Sequence, residues 1–172
     1  DLTVEYTNLG DDTYGFKTTQ DTFSKTVIID PVPTRIWGSY FGGNGDEFGW
    51  LKPDRFDNIF LHGYTSSTNN VATSGSHQPT IMGGYDAFIN KISKDGQKLW
   101  GTYYGGNYSD ASGGLDFDNN DNIFVVADIS IPNPMYPGNT YYYFAQLAIL
   151  KFKPDGTLVF EKILGGKSKD IS

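Results

Sequence analysis

The chain has 172 residues, 13 basic against 20 acidic side chains for a net charge of −7, an aromatic fraction of 16% and no cysteine. That balance excludes the basic face on which a nucleic acid or an anionic membrane surface would be held, and the missing thiols exclude a disulfide framework and thiolate chemistry. No run of 18 apolar residues is present, so no membrane insertion is expected, and no apolar leader flanked by basic residues opens the chain, which reads as a mature or internal fragment.

In chain order, the first predicted element is a strand over 36–41, inside the phrase Trp37-Gly-Ser-Tyr-Phe-Gly-Gly43. Short apolar and aromatic runs bounded by turn residues then predict strands over 48–52, 58–64, 86–93 and 98–104. A polar stretch over 65–84 separates the second and third of these, and the pair Asp95-Gly96 marks a tight turn between the third and fourth. The same order recurs with strands over 114–117, 122–128, 146–153 and 157–164, a long stretch over 129–144, and a turn at Pro154-Asp155-Gly156. No segment carries a sustained helical period.

The recurrence is visible in the residues themselves. The opening phrase returns as Trp100-Gly-Thr-Tyr-Tyr-Gly-Gly106 and as Phe160-Glu-Lys-Ile-Leu-Gly-Gly166. Asp54-Arg-Phe-Asp-Asn-Ile-Phe60 has its counterpart in Asp118-Asn-Asn-Asp-Asn-Ile-Phe124, and Lys91-Ile-Ser-Lys-Asp-Gly96 in Lys151-Phe-Lys-Pro-Asp-Gly156. A unit of about 60 residues with four strands and tight turns fits a propeller blade. The expected fold is therefore all-β, a partial β-propeller of two four-stranded blades plus one extra outer strand, 36–41. Closure takes four to eight blades, so this chain would be part of a larger propeller, its open faces covered by other blades of the same longer chain or by a covering protein partner.

The whole pattern, from the Gly-Gly phrase through the acidic loop, Asp-x-x-x-Asn-Ile-Phe, Tyr85-Asp-Ala-Phe-Ile-Asn-Lys91 and the Asp-Gly turn, resembles the bacterial β-propeller repeat called SBBP over residues 33–172. Blade 1 would run over about 44–105 and blade 2 over about 107–165. Phe23-Ser-Lys-Thr-Val-Ile-Ile-Asp-Pro31 resembles the end of the β-rich domain that commonly precedes such repeats, so 1–32 would be the tail of that domain or lead-in strands. The resemblance implies a secreted or cell-surface bacterial protein and leaves the biochemical role undefined, since fold alone does not fix function.

Propeller topology gathers the b-to-c and d-to-a connections at one end, and here those are the long ones, over about 65–84 and 129–144. A binding site is expected at that end. The second loop carries Tyr136, Tyr141, Tyr142 and Tyr143, which could stack a sugar ring or grip a peptide, or cover a sheet edge. Asp46 and Asp110 follow successive Gly-Gly pairs, where a carboxylate can bind a cation, form an acid and base pair, or close an Asx turn. Asp116, Asp118 and Asn120 place oxygens at alternate positions as calcium prefers, or form a plain Asx-rich turn; no other cofactor is implied. His62 and His77 lie in different contexts, and neither a nucleophile elbow nor a zinc-binding helix motif is present. The expectation is a non-catalytic binding or adhesion module for a glycan or a surface protein. Two alternatives stay open: a structural spacer or passenger of a secretion or surface machinery, and a carbohydrate-active enzyme with carboxylates at the channel mouth.

Overall fold

The computed structural model describes residues 4–10, 13–18, 37–132 and 143–165. The chain divides into two compact units, Asp1–Ile36 and Trp37–Ser172. In the first, β1 (Val4–Gly10) and β2 (Thr13–Thr18) form an antiparallel hairpin. The lead-in segment 23–31 lies outside the described residues.

The second unit is all-β and holds two four-stranded antiparallel sheets, each a simple meander, with no helix among the described residues. Sheet I runs β3 (Glu47–Pro53), β4 (Ile59–Thr65), β5 (Asp86–Ile92), β6 (Lys98–Tyr104). Sheet II runs β7 (Ala111–Phe117), β8 (Ile123–Pro132), β9 (Tyr143–Phe152), β10 (Leu158–Leu164).

The two sheets are built by the same local devices. In the β3–β4 turn Asp54 Oδ1 accepts the main-chain N–H groups of Phe56 and Asn58, and the Asn58 amide donates to Oδ2. Asp118, Asn120 and Asn122 repeat this between β7 and β8. The turn needs one residue with a left-handed backbone, a conformation that Asp tolerates better than most; Asp57 and Asp121 take it, with φ of 63° and 62°. Lys91 then reaches Asp54 at 3.6 Å, and Lys151 reaches Asp118 at 3.1 Å. Each outer strand is bulged at the same place, beside Leu99 in β6 and Val159 in β10.

Alternation decides which faces meet. Phe60, Ala87, Ile89, Trp100 and Tyr104 of sheet I pack on Leu115, Ile123, Val125, Ala148, Leu150 and Phe152 of sheet II as one buried core. The inner edges are tied by Lys52 to Asp116 (2.8 Å) and Arg55 to Asp121 (2.5 Å). Between the sheets, buried His62 Nδ1 lies 2.9 Å from Ser112 Oγ.

Three sequence expectations change. The segment 37–41 is not a strand, although its indole takes the place the repeat assigns: Trp37 Nε1 donates to Lys94 O at 2.6 Å, as Trp100 Nε1 does to Pro154 O at 3.0 Å. Among the described residues no strand pairs with it as β5 pairs with β6. The stretch 129–144 is less of a loop than expected, because Ile129-Ser-Ile-Pro132 continues the strand alternation and β8 pairs with β9 as far as Pro132 with Tyr143. The polar stretch 66–79 lies along the outer edge of β6: Thr73 N donates to Gly101 O (2.9 Å), Tyr103 N to Gln78 O (3.0 Å), and Val71 is fully buried. Its polarity satisfies an edge that would otherwise invite another strand.

Candidate functional site

At the end of the unit where the β4–β5 and β6–β7 connections meet, a cleft of about 430 Å³ opens between the sheets. Sheet I contributes Tyr64 and Tyr85, and sheet II contributes Ser109, Asp110, Asp128 and Ser130. Strand parity extends the aromatic side of this cleft. Phe48 and Trp50 of β3 stand on the same face as Tyr64 of β4, and Phe48 is paired with Tyr64 in register. The rings form a continuous strip: Trp50 meets Phe48 edge-on at 5.4 Å, Phe48 stacks on Tyr64 at 5.4 Å, and Tyr64 meets Tyr85 edge-on at 5.6 Å. About half of the Phe48 and Trp50 surfaces remains open to solvent, 53% and 49%.

Carboxylates border the strip. The Tyr85 hydroxyl points to Asp46 Oδ2 at 3.5 Å, which brings exposed Asp46 to the same cleft as Asp110. Asp110 itself is buried, and each of its oxygens has a main-chain donor: Gly106 N on Oδ2 and Ser130 N on Oδ1, both at 2.6 Å. Burial pushes its carboxyl above the ordinary carboxylate range; the two N–H donors pull against that rise, and the charge of Asp86 adds to it. Asp86, fully buried, is also raised by burial, against the donors Met82 N, Gly83 N and Gln78 Nε2. Gly105 lies between these two carboxylates, where a Cβ would come within 2.6 Å of Asp110 Oδ2 and 2.8 Å of Asp86 Cγ.

The repeat identifies the counterpart of Asp110 as Glu47, not Asp46. Glu47 Oε1 accepts Gly43 N (3.2 Å) and the hydroxyls of Thr65 and Ser67, and Ser67 precedes Ser130 by the same 63 residues that separate Glu47 from Asp110. Glu47 and Asp110, the acidic residues after the first two Gly-Gly pairs, thus clamp the loop to the end of the second strand. Asp46 is left with its side chain free of that duty, beside Tyr85.

The sequence expectation placed calcium ligands at Asp116, Asp118 and Asn120. Asp118 is occupied as the turn acceptor, Asn120 donates its main-chain N–H to it, and Asp116 pairs with Lys52. Hydrogen bonds from Asn122 hold the Asp118 carboxyl well below its ordinary range. Among the described residues no three His, Cys, Asp or Glu side chains converge as a metal site. Tyr136, Tyr141 and Tyr142 lie outside the described residues, and Tyr143 is described only as the backbone that opens β9. Of the two histidines, His62 is buried, its pKa lowered by burial and then by Lys52. His77 is exposed and stacks on Tyr104 at 6.1 Å.

Sequence reasoning missed Phe48, Trp50, Tyr64 and Tyr85 as a group. A signal existed: at the places in sheet II equivalent to Phe48, Trp50 and Tyr64 stand Ala111, Gly114 and Asp128, so the strip interrupts a repeat that otherwise copies its structural devices. No protein-family model matches the chain, and no curated protein matches it.

Proposed function

We propose that the chain is a non-catalytic β-propeller module of the SBBP kind, from a secreted or cell-surface bacterial protein, and that it binds a neutral glycan along the Trp50–Phe48–Tyr64–Tyr85 strip. The observation that carries this reading is the run of touching rings, half exposed at Phe48 and Trp50, beside Asp46 and Asp128. Flat aromatic faces take the apolar faces of pyranose rings, while carboxylates and tyrosine hydroxyls take the sugar hydroxyls. Acidic groups around the cleft disfavour anionic ligands. The binding reading is favoured over hydrolysis because both oxygens of Asp110 accept main-chain N–H groups, which leaves Asp110 poorly placed to exchange a proton with a substrate.

Trp50→Ala and Tyr64→Ala test the reading. On a glycan array the parent chain should retain a restricted set of neutral oligosaccharides. By isothermal titration calorimetry, Trp50→Ala should weaken the best ligand by about fivefold, since a ring contact is worth on the order of 1 kcal/mol. A parent that retains no glycan, or a Trp50→Ala chain that binds as the parent does, would sink the proposal.

A further inference from the structure

Two departures from the repeat meet at one place. At the positions of sheet II equivalent to Trp50 and His62 stand Gly114 and Val126. In sheet I these positions hold an indole and an imidazole, directly opposite each other in the register of β3 with β4. Side chains paired in this way are close enough to restrict each other, and the two rings lie 5.9 Å apart at an angle of 30°. Trp50 is the half-exposed end of the ring strip, whereas His62 is buried.

His62 is in turn held from across the sheets. Its Nδ1 lies 2.9 Å from Ser112 Oγ, and Ser112 is fully buried where β7 is bulged, between Ser112 and Gly114. Neither Val126 nor Gly49, at the places equivalent to His62 and Ser112, has a side chain that could make this bond. Trp50 is thus backed by a buried polar ring whose other end is anchored in sheet II. The charged neighbour of His62 is Lys52 of β3, itself paired with Asp116 of β7. On β5 it faces Ile89, with Lys91 two residues on and paired to Asp54. Burial favours the uncharged imidazole, and Lys52 adds to that preference, so His62 takes up a proton only below the ordinary histidine range.

We propose that His62 is a positioning residue of the glycan strip: uncharged and held by Ser112, it keeps the Trp50 ring in place for the ligand, and as the imidazolium it lets that ring go. The proposal rests on the glycan reading above and adds to it a control by pH. Charging His62 sets a second cation beside Lys52 in a site nearly closed to water, and it makes Nδ1 a donor only. Trp50 is the neighbour with open space to move into, since about half of its surface is exposed while Ile89 and Ser112 are fully buried. Ligand affinity is therefore full above the ordinary histidine range and falls as the pH drops below it.

The test uses the whole chain in two arms. Without ligand, an NMR titration from about pH 7.5 down to about pH 5 follows the His62 imidazole and the three indole N–H signals. The Trp50 indole should shift with the midpoint of His62, while those of Trp37 and Trp100, each held by a main-chain carbonyl, should stay. With the neutral oligosaccharide that the glycan array retains best, calorimetry should show binding at least about threefold weaker at the lower pH than at the higher. His62→Gln, which keeps a polar group for Ser112 but cannot take a charge, should bring that ratio close to one, and any slope it retains belongs to the carboxylates. Ser112→Ala, off the strip, should weaken the same oligosaccharide at the higher pH. A Trp50 signal that stays fixed while His62 titrates, or a ratio that His62→Gln leaves unchanged, would overturn the proposal and leave the glycan reading standing; an array that retains no glycan would remove both.

Discussion

Asn90 shows how much a single position in a repeat can reveal. It is fully buried on β5, its side chain lies against Gly101, and neither its amide nitrogen nor its amide oxygen has a hydrogen-bond partner. A buried amide left in that state costs about 1–3 kcal/mol. Sheet II offers the repair, because the equivalent residue of β9 is Leu150, buried in the core between the sheets. Asn90→Leu should therefore stabilise the chain by about 1–3 kcal/mol, read as a higher midpoint in urea unfolding with an unchanged slope. A midpoint at or below that of the parent would mean that the amide has a partner in solution. The cluster around this site, Val71, Phe88 and Tyr103 with Phe41 and Leu61, is smaller than the core between the sheets, so one polar atom weighs more there.

At the scale of elements, the turn before each outer strand is fixed by an indole. Trp100 lies over Gly156, whose φ is +88° and where a Cβ would stand 2.7 Å from Trp100 Cδ2. Trp37 lies over Gly96, with φ of +84° and the nearest ring atom 3.2 Å from the same notional Cβ. Both turns need a left-handed residue, so alanine strains either backbone by about 1 kcal/mol or more. Only at Gly156 must a buried ring also move. Gly156→Ala should cost more than Gly96→Ala, by about 1 kcal/mol or more, when the two variants are compared by thermal and urea unfolding. Equal losses would show that Trp100 yields as easily as Trp37.

The same elements show what was legible beforehand and why. Strands β4, β5, β6, β8, β9 and β10 follow apolar runs bounded by Asx and Gly turns, and the runs predicted over 58–64, 86–93 and 98–104 meet the observed Ile59–Thr65, Asp86–Ile92 and Lys98–Tyr104. The segment 36–41 reads as a strand because its phrase is a strand in β6. Strand structure depends on a neighbour, however; β6 has one in β5, and among the described residues 37–41 has none. In the cleft, Asp110 was legible as a recurring carboxylate. Phe48, Trp50, Tyr64 and Tyr85 were not, because they are distant in sequence and become a strip only through the pairing of β3 with β4 and the turn into β5.

At the scale of the whole second unit, the two sheets are neither independent domains nor a closed sheet. Their shared core runs from Phe60 and Ile89 on one side to Leu115 and Leu150 on the other, and Phe60 is its hinge point: its ring is 5.0 Å from Phe117, 5.9 Å from Trp100, and lies under the Lys91 ammonium. Removing it opens a cavity that both sheets line. Phe60→Ala should cost about 3–5 kcal/mol and should do so for both sheets at once. Trp100 fluorescence reports sheet I, and backbone hydrogen exchange of β8 and β9 reports sheet II. In the parent and in Phe60→Ala the two should follow one transition, displaced to lower urea in the variant. If β8 and β9 kept their protection through the loss of the Trp100 signal, each sheet would be stable on its own account, and the repeat would be a string of separate modules instead of a stack that folds through its interfaces.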